Sequence, residues 1–173
     1  MIYVLRLSHR ISRDVRLSSH LCLCARAFLC DGVYYSGQKD SSLENSIKAV
    51  VDRFGGNFQI SYTGNPKKFV SSFKGIIIHL TMYGEIFLDK IKEIRTKAKS
   101  KDVLIIVGGP KVEQWVYNCV NYNLSVTSQP ISEVGALSVF LHELHKGSEI
   151  KASFDGAKLK VIPSPKGKDV QKR

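Results

Sequence analysis

The sequence predicts an α/β fold, a mostly parallel sheet flanked by helices. Short apolar, β-branched runs alternate along the chain with segments of helical period. Several of those runs, IIIHL and VLIIV among them, are apolar on both alternating sets of positions, as strands covered on both faces must be. Glycine, serine and proline cluster at the ends of the runs, where an open sheet keeps its ligand-binding loops.

The elements follow in order. IYVLRL (2–7) reads as the first strand, being too short and too soon interrupted by Arg6 for a signal peptide. Residues 18–30 read as a helix opened by a pair of serines, and GVYYS (32–36) as the next strand. A helix over 42–54 has Ser41 and Glu44 at capping-box spacing and stops at Gly55 and Gly56. FQISYT (58–63) is extended, and Asn65–Pro66 opens a short helix toward Phe73. GIIIHL (75–80) is a strand leading into the loop HLTMYG (79–84). The helix over 85–99 has Ile86, Leu88, Ile91 and Ile94 as its buried stripe. VLIIV (103–107) runs into VGGPK (107–111) and a short amphipathic segment, and NLSVT (123–127) into SVTSQPIS (125–132). The helix over 132–147 carries Val134, Leu137, Leu141 and Leu144 on one face. From about 148 the composition turns lysine-rich, with one strand at KLKVI (158–162) and then a Pro/Gly/Lys tail, so 1–173 reads as one domain with a basic extension.

Net charge is +11 with five histidines taken as neutral, which points to an anionic partner, most often nucleic acid. Arg6, Arg10, Arg13 and Arg16 crowd the first sixteen residues, and the planar guanidinium suits phosphates and stacked bases. No apolar stretch approaches the roughly 20 residues that cross a bilayer. Cys22, Cys24, Cys30 and Cys119 do not have zinc-ribbon spacing and read as buried reduced thiols, so the expected compartment is the cytoplasm.

P-loop, dinucleotide, HExxH and GxSxG signatures are absent, the histidines are scattered, and no carboxylates pair in a loop. The loops after three successive strands offer backbone amides, hydroxyls and the Gln129 amide but almost no charge. That lining suits a neutral planar group such as adenosine better than a triphosphate.

The order of strand, VGGPK turn, strand and SQPISEVGALSVFL resembles the second and third motifs of the SPOUT methyltransferases. It is more similar still to the archaeal tRNA ribose 2′-O-methyltransferases of cytidine 56 in the T-loop. The likeness runs from VLRLSHRISRDVRLSSH through ARAFLCDGV, HLTMYG, IIVGGPKV and SQPISEVGAL to FDGAKLKVIP, nearly the whole chain. It implies a C-terminal deep trefoil knot, a homodimer in which each site is completed by the second subunit, S-adenosylmethionine as methyl donor and no metal. Leu80, the turn Val107, Gly108, Gly109, Pro110 and Lys111, and the stretch Ser125, Val126, Thr127, Ser128, Gln129, Pro130, Ile131 and Ser132 would form the cofactor pocket. Arg16 is then the candidate beside the reacting hydroxyl. Ser132 would position the ribose or cap the following helix. Arg6, Arg10, Arg13, Arg16 and His20 would contact tRNA. Two other readings stay open, because Val134 stands where many ribose-methylating relatives have asparagine: a SPOUT methyltransferase of different nucleotide specificity, and a non-enzymatic RNA-binding protein.

Overall fold

A computed structural model describes residues 1–109 and 111–172. Six parallel strands form one sheet: β1 (Ile2–His9), β2 (Gly32–Gly37), β3 (Gln59–Tyr62), β4 (Gly75–Ile86), β5 (Asp102–Val107) and β6 (Tyr122–Ser125), in the order β3-β2-β1-β5-β4-β6. Helices α1 (Ile11–Ala27), α2 (Ser41–Phe54), α4 (Phe87–Ala98) and α6 (Glu133–His145) cover one face. The short helices α3 (Pro66–Ser72) and α5 (Gln114–Cys119) cover the other.

Alternation along the strands explains why both faces need cover. Val103, Ile105 and Val107 of β5 enter the core under α1, α4 and α6, while Leu104 and Ile106 enter the one under α3 and α5. All five are buried, so β5 reads as a continuous apolar run.

The register between β4 and β6 shapes the site. Leu124 of β6 lies opposite both Leu80 and Glu85, so residues 81–84 bulge away from the ladder. HLTMYG is therefore part of a long strand with a bulge rather than a loop that ends it. Gly84 lets the chain return to the ladder, since a Cβ there would lie 2.5 Å from the Leu124 nitrogen.

Other differences from the sequence reading have local causes. Helix α1 begins seven residues before the expected start at 18, and Ser18 and Ser19 lie within it. Its first amides are satisfied by side chains outside the usual cap position: Ile11 donates to Gln38 Oε1 at 2.7 Å, and Arg10 to Asp14 Oδ2 at 3.2 Å. Helix α2 is capped by Asp40, whose Oδ1 accepts from the Leu43 amide at 3.0 Å, and Glu44 turns to the Tyr35 hydroxyl. Helix α4 starts at Phe87, which rotates its buried face to Phe87, Ile91 and Ile94, leaving Ile86 and Leu88 exposed. Val134 is only partly buried in α6, whose core positions are Leu137, Phe140, Leu141 and Leu144.

Cys22 and Cys30 are buried, and desolvation raises both thiols, that of Cys22 to about 12. Cys24 is partly buried and Cys119 is exposed at the end of α5, so burial does not extend to all four.

The C-terminal segment pairs with itself. β7 (Leu159–Ile162) and β8 (Asp169–Lys172) form an antiparallel hairpin, adding a strand where the tail was expected to be irregular. The hairpin joins the body through the end of α2: Gly56 donates to the Asp155 carbonyl at 2.8 Å, and the Arg26 guanidinium stacks 4.4 Å from the Phe154 ring centre.

Candidate active site

Two cavities open at the carboxyl ends of the central strands, and the glycine turn after β5 separates them. The first, of about 400 Å³, lies between the bulge after Leu80, the turn after Val107 and the segment joining β6 to α6. Its walls include Leu80, Thr81, Gly108, Gly109, Val126, Thr127, Pro130 and Ile131. The second, of about 600 Å³, lies between the end of β1, the first turn of α1 and the turn after β2. It is lined by Ser8, His9, Arg10, Arg13, Gly37, Gln38, Gly109 and Lys111. Gly109 borders both.

Their electrostatics differ. Among the described residues that line it, the first cavity has one carboxylate, Glu133, and no lysine or arginine. Two buried or half-buried rings stand at its inner wall: His79 packs edge-on against Tyr117 with ring centres 4.8 Å apart. Burial holds His79 below its usual pKa, with its Nδ1 bonded to Asn123 Oδ1 at 2.9 Å and its Nε2 without a partner among the described residues. A wall of this kind, with backbone amides beside apolar and neutral polar side chains, fits adenosine.

The second cavity is cationic. Arg13 Nε donates to Asp14 Oδ1 at 2.8 Å, and Arg10 Nε lies 3.7 Å from Asp14 Oδ2. Asp14 is 3% exposed, so one buried carboxylate organises two half-exposed arginines at the cavity wall. The end of β1 is irregular at this wall. Its register with β2 shifts between Arg6 and His9, and Ser8 adopts a left-handed φ of 58°. His9 is buried behind it, with Nδ1 2.8 Å from Ser18 Oγ and Nε2 3.3 Å from Asp40 Oδ2. The Leu43 amide, and after it His9, hold the Asp40 carboxyl below its ordinary pKa.

Half of the expected cofactor positions, Leu80, Gly108, Gly109, Val126, Thr127, Pro130 and Ile131, come together in the first cavity, and the rest do not. Val107 is buried in the core beneath the turn. Ser125 is also buried, and its Oγ donates to the Glu85 carbonyl at 3.4 Å. Lys111 faces the second cavity. Ser128 and Gln129 are exposed and line neither cavity, and Pro110 lies outside the described residues. Ser132 caps α6, accepting from the Gly135 amide at 3.1 Å.

The arginine cluster divides. Arg6 was expected at the tRNA backbone but is 1% exposed, because β1 is a central strand and its side chain is enclosed between α1 and α6. Its Nη1 donates to the Leu7 carbonyl, while Nη2 lies 3.8 Å from Asp14 and 3.9 Å from Glu133. Arg6 thus links the carboxylate that organises the cationic cavity to the one that faces the neutral cavity. Arg6→Met should destabilise the fold by about 3 kcal/mol, the lower end for a broken buried pair, since Arg13 still neutralises Asp14. Chemical denaturation of both proteins measures it. Arg16 and His20 are exposed on α1 and line neither cavity.

Sequence reasoning missed His79, Tyr117 and Glu133 at the first cavity and Gln38 and His9 at the second. Glu133 had a visible signal, an acid in the first turn of a helix that follows a ligand loop. The others depend on which strands become neighbours. Among the described residues no group of three or more His, Cys, Asp or Glu side chains is arranged to hold a metal ion. None of the helices is long and apolar enough to cross a membrane.

A family model described as tRNA ribose 2′-O-methyltransferase, aTrm56, matches residues 54–171. A tRNA (cytidine(56)-2′-O)-methyltransferase of Thermofilum pendens is 41% identical over 99% of this chain and 96% of its own length. The protein of the same name from Thermococcus kodakarensis is 45% identical over 98% of this chain and 96% of its own. Among solved structures, the SpoU methyltransferase AviRb from Streptomyces viridochromogenes, in complex with the cofactor AdoMet, shares the fold at a TM-score of 0.59. It is 10% identical, and the match covers 88% of this chain and 58% of that one.

Proposed function

The chain belongs to the aTrm56 family of tRNA ribose 2′-O-methyltransferases, and from its geometry we propose how it performs that reaction. Its activity is methylation of the ribose 2′-hydroxyl of cytidine 56 in tRNA. The observation that carries the proposed arrangement is the meeting of a nearly uncharged cavity and a cationic one at Gly109. The first holds S-adenosylmethionine, and the second receives the nucleotide to be methylated.

When bound, S-adenosylmethionine supplies a methyl group already activated by its positive sulfur. The protein's part is alignment and proton handling. Gly108 and Gly109 bring the backbone close to the cofactor, with Leu80, Val126, Thr127 and Ile131 enclosing it. Arg10, Arg13 and Lys111 bind phosphates on either side of the target nucleotide. Arg16 stands beside the 2′-hydroxyl and stabilises the developing alkoxide, which is easier for an arginine than accepting a proton. Ser132 holds the loop by capping α6, and its role toward the ribose is indirect.

The resemblance supports a homodimer whose second subunit completes each site, and Arg16, which lines neither cavity of its own chain, would then serve the site of the other subunit. Ile11 and Val15 leave nearly half their surface exposed one turn apart on α1, and Val139 does so on α6, which packs beside it. These apolar positions suit such an interface. The resemblance further supports a deep trefoil knot formed by the segment carrying the cofactor loops. We read the chain as a single SPOUT domain with a basic extension from about 148, acting in the cytoplasm where its tRNA substrate is.

Incubation with labelled S-adenosylmethionine and an unmodified tRNA transcript tests the proposal. The expected product is 2′-O-methylcytidine at position 56, and label at another nucleotide would overturn the specificity. tRNA affinity should fall linearly on a log–log plot against salt, with a slope of about −0.7 to −0.9 for each phosphate neutralised. A flat plot would remove the phosphate roles of Arg10, Arg13 and Lys111.

A further inference from the structure

We propose that Gln38 reads the target base in the second cavity and makes the enzyme prefer cytidine over uridine. This rests on the acceptor role given above to that cavity.

Gln38 follows Gly37 in the turn after β2, and its backbone N–H donates to the His9 carbonyl at 2.9 Å. Gly37 has a φ of +103°, and a Cβ there would lie 2.4 Å from that same carbonyl, so the turn is held closely against the end of β1. The side-chain oxygen of Gln38 accepts from the Ile11 amide at 2.7 Å, the first amide of α1. That bond fixes the orientation of the side-chain amide, because a backbone N–H can face only the oxygen. The NH2 end is left on the side chain's other corner, and among the described residues no hydrogen bond engages it. Gln38 lines the cavity with Arg10, Arg13 and Lys111. A side chain that would otherwise be ambiguous is thus a fixed donor.

A fixed donor distinguishes the two pyrimidines. Cytosine presents N3 as an acceptor, beside the O2 acceptor. Uracil presents a hydrogen on N3, which meets the Gln38 NH2 donor to donor. A cationic cavity adjoining the cofactor cavity sets where the ribose and its phosphates lie, and those groups are the same in every nucleotide. Base identity must come from a polar group of fixed sense, and Gln38 is one at this wall.

The bland alternative is that Gln38 only caps α1. Gln38→Glu separates the two, since a carboxylate caps the same amide and is favoured at a helix N-terminus. Its second oxygen changes the free corner from donor to acceptor. Gln38→Met removes both functions. The test measures kcat/KM for wild type and both variants on two transcripts, one with cytidine and one with uridine at position 56. Cofactor affinity of each protein is measured alongside.

Wild type is expected to favour cytidine by about tenfold to a hundredfold. Gln38→Glu should shift the ratio toward uridine by a similar factor, and Gln38→Met should bring it near unity. Loss of the cap alone would lower both rates together and leave the ratio where it was. A ratio unchanged in both variants would overturn the proposal while leaving the activity standing. A wild-type enzyme that labels neither transcript at position 56, yet binds the cofactor, would overturn the activity reading and the base reading together.

Discussion

Gly108→Leu is expected to abolish binding of S-adenosylmethionine while the fold survives. Gly108 is not among the positive-φ glycines, so a side chain is not excluded by backbone strain. The obstacle is space. A Cβ at this position would lie 2.3 Å from Val112 Cγ2, and Val112 is itself a wall of the first cavity. Alanine requires Val112 to turn aside, whereas leucine drives it into a space of about 400 Å³ that a ligand of this size has to fill. The expected loss of affinity is at least about a hundredfold, roughly 3 kcal/mol. Calorimetric titration with the cofactor measures it, and the thermal midpoint separates a blocked pocket from a damaged fold. Wild-type affinity in a folded Gly108→Leu protein would refute the pocket assignment.

Arg16→Ala is expected to lower kcat by about a hundredfold to a thousandfold with cofactor affinity intact. That is the usual cost of removing one group that stabilises charge in a transition state. Arg16 is exposed, among the described residues it engages no acid, and it lies outside both cavities of its own chain, so its loss disturbs neither cavity wall. If Arg16 only grips a phosphate, the result is different: KM rises, kcat stays near normal, and the salt slope of tRNA binding falls by somewhat under one unit. A near-normal kcat removes Arg16 from the chemistry. Mixing Arg16→Ala subunits with subunits blocked at Gly108 adds a second readout. Activity recovered in the mixture would require each site to draw on both chains.

Much of the architecture was legible because strands buried on both faces announce themselves by composition. All six strands of the sheet were found from short apolar runs, and β5 and the glycine turn after it were visible together. Helix boundaries were less legible where the cap comes from far along the chain. The first amide of α1 is satisfied by Gln38, 27 residues away, and no local serine or asparagine signals that start. Helix α2, capped by an adjacent Asp40, was placed almost to the residue. The exposed Ile86 and Leu88 were misassigned because an apolar stripe has no absolute phase until one residue, here Phe87, is anchored against the core.

The sequence by itself determined that this is a basic α/β protein with glycine- and serine-bearing segments beyond its apolar runs, and its likeness to one methyltransferase family named the reaction. Such properties are local or cumulative: periodicity, glycine placement, charge. Only the tertiary structure decided that Arg6 is enclosed rather than presented to RNA, that residues 81–84 bulge from a strand, and that Glu133, His79 and Tyr117 share a wall. It also divided the site into two cavities of opposite character at Gly109. Those outcomes depend on the strand order β3-β2-β1-β5-β4-β6, which brings residues from distant parts of the chain to one sheet edge and buries whichever side chain lies between two helices. Pairing between strands is a long-range choice, set by the packing of the whole chain and not by any short stretch of it.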